Sequence, residues 1–473
     1  MAREGATSQV GSVSGTDERR LRRVIVAAAV TQGAINVDFF AMGVALPRMA
    51  GDLDTTAMSL QWVVSGYLIA LAAFLVVGGR LGDVYGRKRL LLIGVITFAV
   101  SSGLAGASPD PGLVIAFRVV QGMGAAIAFP VSLAIVTNAF PPERVQRAIG
   151  IVFAIAVVGT AAGPFIGGLL TDVLSWRFVF WLNLPIGVAV VWLVVTSVEE
   201  SRDESVPRRL DLPGLLLVVA GLAALSFAFD KAADWGWLSG ATLGVLAAGV
   251  ASVVAFVVVE ARVRYPLLDL SLFRVRVFDV MTAAGTVGNV VYNVVIFGST
   301  LYLQQVRDLS PVMAGVVFLA LSLGASIAGQ LSGRVERFPS WLVMCVALVV
   351  GGTASIGLSW STSWSVYVPF FAVAGFGLGL GWAYASVSTQ AVVPPEKAGA
   401  ASGVVLTALV GIGGIAVASA ASVIESRSAA GAGQAIQELI RASGVVALVG
   451  AAAVALFGRD PAPSRSRTSG LDR

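Results

Sequence analysis

Gly79-Arg80-Leu81-Gly82-Asp83-Val84-Tyr85-Gly86-Arg87-Lys88-Arg89 is a short, basic, Gly-punctuated turn between two long apolar stretches. The stretches before it (60–78) and after it (90–107) are each long enough to cross a bilayer as a helix. A buried pair of soluble helices has no use for such a basic knuckle. A polytopic membrane protein does, because clustered Arg and Lys hold a loop on the cytoplasmic side.

The rest of the 473-residue chain agrees: 57% of its residues are hydrophobic and 12% charged, against about 25% charged in a soluble domain. Too few charges remain to solvate a globular surface. The net charge of +5 could suggest nucleic acid, but the Arg residues sit in short loops between apolar spans, where they act as a topology signal. No nucleic-acid partner is expected. Cys345 is the single cysteine and there is no histidine, so a disulfide or a Cys/His metal site within one chain is ruled out. No metal and no cofactor is expected. Proton chemistry near neutral pH falls to carboxylates.

Fourteen apolar segments of membrane length fall at 24–46, 60–78, 90–107, 111–138, 146–170, 178–197, 212–229, 238–259, 278–303, 311–331, 341–359, 364–390, 400–422 and 442–457. With the N-terminus inside, basic residues favour the inside segments about four to one, a bias that dropping one span would destroy. The first stretch is basic and then apolar, as in a signal peptide, but it runs on to Pro47 and carries Asn36 and Asp38, so it reads as a spanning helix.

An ungapped register at an offset of 253 residues links Gly122-Met123-Gly124 to Gly375-Phe376-Gly377 and Pro141-Pro142-Glu143 to Pro394-Pro395-Glu396. The same offset aligns Asn36 with Asn289 and Asp83 with Glu336. Two six-span halves related by a repeat are a transporter signature. The organisation is read as a cytoplasmic tail (1–23), a six-helix bundle (24–200), a linker with two inserted helices (201–276), a second six-helix bundle (277–457) and a disordered cytoplasmic tail (458–473). The fold class is an all-α polytopic membrane protein with 14 transmembrane helices arranged 6+2+6.

The 79–89 turn also carries an acid. Topology alone needs neither Asp83 nor the glycine spacing, so Gly79, Asp83, Gly86, Arg87 and Lys88 are read as a gating loop whose ion pairs hold one conformation. Asp38 is the leading functional candidate. A carboxylate inside a spanning helix costs roughly 2.5–3.5 kcal/mol on insertion scales and asks for a reason. Arg118 lies at a similar depth, about 10–14 Å from the outer end of its span at 1.5 Å per residue, so the two can influence each other. They are assigned to proton coupling. Asn36, Asn289, Tyr292 and Asn293 on the first helix of each half, with Trp62, Tyr67 and Gln121, are candidates to line a substrate cavity. Gly159, Gly163, Pro164, Gly167 and Gly168 supply close helix packing and a proline bend. No Gly-x-x-x-x-Gly-Lys-Ser/Thr loop is present, so ATP hydrolysis is not expected.

The turn resembles the loop between the second and third helices of the major facilitator superfamily, with Val84 where a basic residue is usual. Arg118 to Ala126 resembles the fourth-helix motif of that superfamily, and Gly159 to Gly168 its antiporter motif. Val37-Asp38 with Ala45-Leu46-Pro47, Trp176 to Gly187, and Pro266 to Arg274 resemble its fourteen-span drug/proton antiporter branch, although Phe40 and Gly43 depart from it. The resemblance covers nearly the whole chain. It implies the major facilitator fold, with the first helices of the halves facing a central cavity and a bias toward export. The implied function is a non-enzymatic secondary transporter in a bacterial plasma membrane, with both termini cytoplasmic and acting as a monomer. It would exchange protons for lipophilic or cationic drugs by alternating access. Export of one endogenous metabolite or antibiotic is the alternative; a non-transporting sensor and an uptake symporter are further ones.

Overall fold

The structure, a computed structural model, describes residues 15–55, 60–202, 211–264, 266–268, 270–393, 398–427 and 431–458. The repeat segment Pro394-Pro395-Glu396, the centre of the charged linker (203–210) and both terminal segments (1–14 and 459–473) lie outside them, as do the side chains of Glu143 and Glu336.

The described chain is helical throughout, without a strand. The first seven helices are α1 (Gly15–Asp52), α2 (Gln61–Tyr85), α3 (Arg87–Ala107), α4 (Pro111–Ala139), α5 (Pro142–Val173), α6 (Arg177–Trp181) and α7 (Asn183–Ser197). Then come α8 (Leu212–Trp235) and α9 (Gly240–Glu260). The last six are α10 (Arg276–Leu301), α11 (Pro311–Ser332), α12 (Ser340–Trp360), α13 (Trp364–Ala391), α14 (Ala398–Arg427) and α15 (Ala432–Phe457). Thirteen of the spans are straight enough, long enough and apolar enough to cross a membrane, α6 and α7 together forming one. The fourteenth is α2, whose parts Trp62–Leu75 and Val77–Tyr85 meet at 48°.

Local chemistry sets the boundaries. Asp110, Asp211 and Ser310 cap α4, α8 and α11 by accepting hydrogen bonds from Leu113, Gly214 and Met313, each beside a proline in the first turn whose missing N–H costs nothing there. Pro185 cannot donate to the carbonyl of Trp181, and the span breaks there into α6 and α7. The first helix begins at Gly15, well before the predicted span, and Arg20 ties its start to Glu199 and the carbonyl of Ser197 at the end of α7.

The helix pairings repeat across the chain. Contacts α1–α5, α2–α4, α3–α4, α3–α7 and α1–α7 recur as α10–α14, α11–α13, α12–α13, α12–α15 and α10–α15. Each set encloses its own buried apolar core, one centred on Phe98 and Val131, the other on Phe371 and Leu378. The pair α8–α9 packs on α2 and α14.

The two sets meet along α5–α11 and α2–α14. Contact is tightest at the face opposite the Gly86 turn, where a Cβ on Gly315 of α11 would sit 2.5 Å from the Cα of Phe165 of α5. Between the sets lies a cavity of about 570 Å³, lined from mid-span toward the Gly86 face. Its lining reaches Arg147, Gly329 and Gln330, which are exposed near helix ends on that face.

Candidate functional site

Asp38 and Arg118 are brought together. The side chains of both are fully buried, and Arg118 Nη1 lies 2.5 Å from Asp38 Oδ2. The other carboxylate oxygen accepts from Gln121 Nε2 at 2.9 Å and from Asn183 Nδ2 at 2.8 Å. Gln121 is three residues after Arg118 on α4, hence on the same face, and its Oε1 accepts from Arg118 Nη1 at 3.0 Å. Arg118 Nε donates to the carbonyl of Val63 on α2. Asn183 also donates to Ser102 Oγ on α3, which in turn donates to the carbonyl of Phe180. Asp38 therefore has a counter-charge and three charge-assisted donors, contributed by α4 and α7. A lone buried charge would be far too unfavourable to persist.

Arg118 Nη2 has no hydrogen-bond partner among the described residues. The guanidinium instead lies over the Tyr67 ring, with Cζ 4.1 Å from its centroid. Tyr67 stacks on Phe39 at 6.3 Å, and both rings line the cavity. Asp38 and Arg118 do not line it. An aromatic wall one ring thick thus separates the charged network from the space where a ligand fits.

Of the predicted cavity residues, Asn36, Tyr67, Asn289, Tyr292 and Asn293 line the cavity. Two are placed elsewhere. Trp62 packs its ring on Phe227 of α8 at 5.6 Å. Gln121 is turned inward by the pull of Asp38 and Arg118.

The glycines of the predicted antiporter motif form one stripe on α5, four residues apart. A Cβ on Gly159 would lie 2.8 Å from the carbonyl oxygen of Gly33, one on Gly163 2.8 Å from Phe40 Cβ, and one on Gly167 2.7 Å from Ala41 Cα. Pro164 and Gly168 are buried beside them. The stripe lets α1, the helix that carries Asp38, lie directly on α5.

In the 79–89 turn, Asp83 Oδ1 accepts from Arg87 at 2.9 and 3.1 Å. Gly86 takes φ +110°, a backbone region that side chains disfavour. It closes the corner between α2 and α3, while Gly79 meets Pro130 in ordinary contact. The carboxylate at the N-terminus of α3 is not Asp83 but Glu200, which accepts from the backbone N–H of Lys88 and Arg89 at 3.0 and 3.2 Å. Lys88 Nζ reaches back to the carbonyl of Val195. The turn is therefore docked on the end of α7.

Asn183, Ser102 and Glu200 were not singled out from the sequence. Asn183 had a usable signal: it is a polar residue in an otherwise apolar span, two before a proline. Among the described residues no group of three or more His, Cys, Asp or Glu could hold a metal ion.

The profile of the Major Facilitator Superfamily matches residues 28–418. The Tetracenomycin C resistance and export protein of Streptomyces glaucescens is 34% identical over 397 residues, which cover 81% of this chain and 72% of that protein. Multidrug resistance protein Stp of Mycobacterium tuberculosis is 35% identical over 387 residues, covering 80% of this chain and 71% of that protein. Among solved structures, the human organic anion transporter MFSD10 (TETRAN) aligns with a TM-score of 0.64 at 16% identity over 92% of this chain and 99% of its own, a likeness of fold.

Proposed function

This chain belongs to the Major Facilitator Superfamily, and on that premise we propose that it is a multi-pass efflux transporter of a bacterial plasma membrane that exchanges protons for drug-like compounds by alternating access. Relatives named for antibiotic export and multidrug resistance support the direction. The observation that carries the coupling is the buried Asp38–Arg118 pair, separated from the cavity by the ring of Tyr67.

Both termini and the Gly86 turn are assigned to the cytoplasm by the basic-residue bias. The conformation is then inward-open, and its ion-paired Asp38 is the proton-free form. A compound entering from the cytoplasm or inner leaflet meets the cavity and presses on Tyr67 and Phe39. The α5–α11 contact then parts while the other end closes, and the compound leaves outward. Protonation of Asp38 from outside neutralises the carboxylate, weakens its hold on Arg118, and favours return. The two bundles, 24–200 and 277–457, move as bodies, and residues 201–276 ride on α2 and α14. The Asp83–Arg87 pair and the Glu200 cap hold the turn in the inward-open form. A monomer suffices for this cycle.

The test is transport into inside-out proteoliposomes under an imposed pH gradient, acid inside, with a panel of aromatic antibiotics. Wild type accumulates substrate and Asp38→Asn does not. Equal accumulation by both proteins would remove Asp38 from the coupling. Accumulation of one compound alone would indicate a dedicated exporter.

A further inference from the structure

We propose that the cavity selects uncharged or singly negative aromatic compounds bearing hydroxyl or amide N–H donors and rejects permanent cations; this rests on the efflux reading and narrows its substrate class.

Three observations carry it. First, no carboxylate lines the cavity among the described residues, and Arg147 is its one charged lining residue. Arg147 is exposed at the open end, with no ion-pair or hydrogen-bond partner among the described residues, so a ligand can use its charge. Asp38 is held by Arg118 and two amides behind the Tyr67 ring. A permanent cation entering here would lose hydration and meet no counter-charge.

Second, the amides of the lining are oriented. Asn36 Nδ2 donates to the carbonyl of Ala156, Asn289 Nδ2 to that of Leu409, and Asn293 Nδ2 to that of Asn289. One N–H of each amide is tied down on a helix carbonyl, while its oxygen has no donor among the described residues. Each of these three oxygens is an open acceptor that can meet an O–H or N–H donor on a ligand.

Third, two aromatic rings of the lining are already engaged. One face of Tyr67 carries the Arg118 guanidinium, and Trp382 packs edge to face with Phe153 at 5.1 Å. The volume of about 570 Å³ suits a compound of drug size.

The experiment is equilibrium binding of a xanthene dye series to the purified full chain in detergent micelles. A fluorescein ester carries one negative charge, a rhodamine acid no net charge and a rhodamine ester one positive charge on a shared ring system. The fluorescein ester should bind about tenfold tighter than the rhodamine ester. Replacing Arg147 by Gln should weaken the fluorescein ester about five- to tenfold and leave the rhodamine acid unchanged, as expected for one charge contact in a partly hydrated site. Arg147→Glu should reverse the preference. Arg147 is exposed, so neither variant disturbs packing. A rhodamine ester that binds as tightly as the fluorescein ester, or an anion-to-cation ratio untouched by Arg147→Gln, overturns the inference. If that cation also accumulates in the pH-gradient vesicles, export stands and only the charge selection falls. If no dye of the series binds and the vesicles accumulate nothing, both fall.

Discussion

Removing either partner of the Asp38–Arg118 pair should destabilise the protein far more than removing both. Both side chains are fully buried, and the pair closes with a short hydrogen bond. Arg118→Met leaves Asp38 with only the amides of Gln121 and Asn183 and no counter-charge. Asp38→Asn leaves a guanidinium with no counter-charge, only the neutral acceptors Val63 O, Gln121 Oε1 and the new amide oxygen. Breaking a buried pair at one end costs about 3–5 kcal/mol, whereas apolar or neutral replacement of both ends is often close to neutral. The double variant should then lie within about 2 kcal/mol of wild type. The coupling energy from the cycle should be at least about 3 kcal/mol in magnitude. Equilibrium unfolding by SDS titration in mixed micelles reads all four proteins on one scale. Gradient-driven transport should remain lost in the double variant even as stability returns, which separates the pair's role in coupling from its role in packing. Single effects that add to within about 0.5 kcal/mol would refute the reasoning, since independent sites behave that way.

Three other outcomes follow from the same geometry. Gly163→Val places atoms where Phe40 Cβ lies 2.8 Å from the glycine's Cβ position; α1 must shift, lowering stability by about 1–3 kcal/mol and abolishing pH-gradient transport, whereas Gly150→Ala, which meets nothing within 4 Å, should be tolerated in both assays. Asn183→Leu removes donors to Asp38 and Ser102 and should lower unfolding stability by about 1.5–3 kcal/mol, the range for a hydrogen bond to a charged group. Gly86→Ala at φ +110° should cost about 1–3 kcal/mol in backbone strain and displace Glu200; a cysteine placed at Ser201 should then become more reactive to a water-soluble maleimide, and unchanged labelling would count against the docked turn.

Much of this architecture was legible in the chain because a bilayer restricts what a sequence can do. With no water to satisfy the backbone, each long apolar stretch has to be a helix, and the basic turn at 79–89 fixes where the stretches break. The acid and the arginine deep within the apolar spans, Asp38 and Arg118, pointed to each other because neither tolerates burial alone. What remained hidden depends on rotation about helix axes and on contacts between distant segments. Gln121 and Tyr67 both looked like cavity residues; the pull of Asp38 turned one inward, while stacking on Phe39 left the other at the wall. Trp62 sits at an outer helix end, where the inserted α8 covers it. Glu200 lies more than a hundred residues from the N-terminus it caps, at a distance no local pattern reveals. Asn183 reaches Asp38 only because Pro185 breaks the span beside it.

The most direct test of the account is proton release on substrate binding. Purified protein in a weakly buffered solution with a pH-sensitive dye would be mixed with an aromatic antibiotic shown to be transported, over a range of starting pH. The account predicts an acidification by wild type, as binding draws molecules from the protonated to the ion-paired form, that disappears in Asp38→Asn although the compound still binds. Binding without proton release, or equal release from wild type and Asp38→Asn, would contradict it.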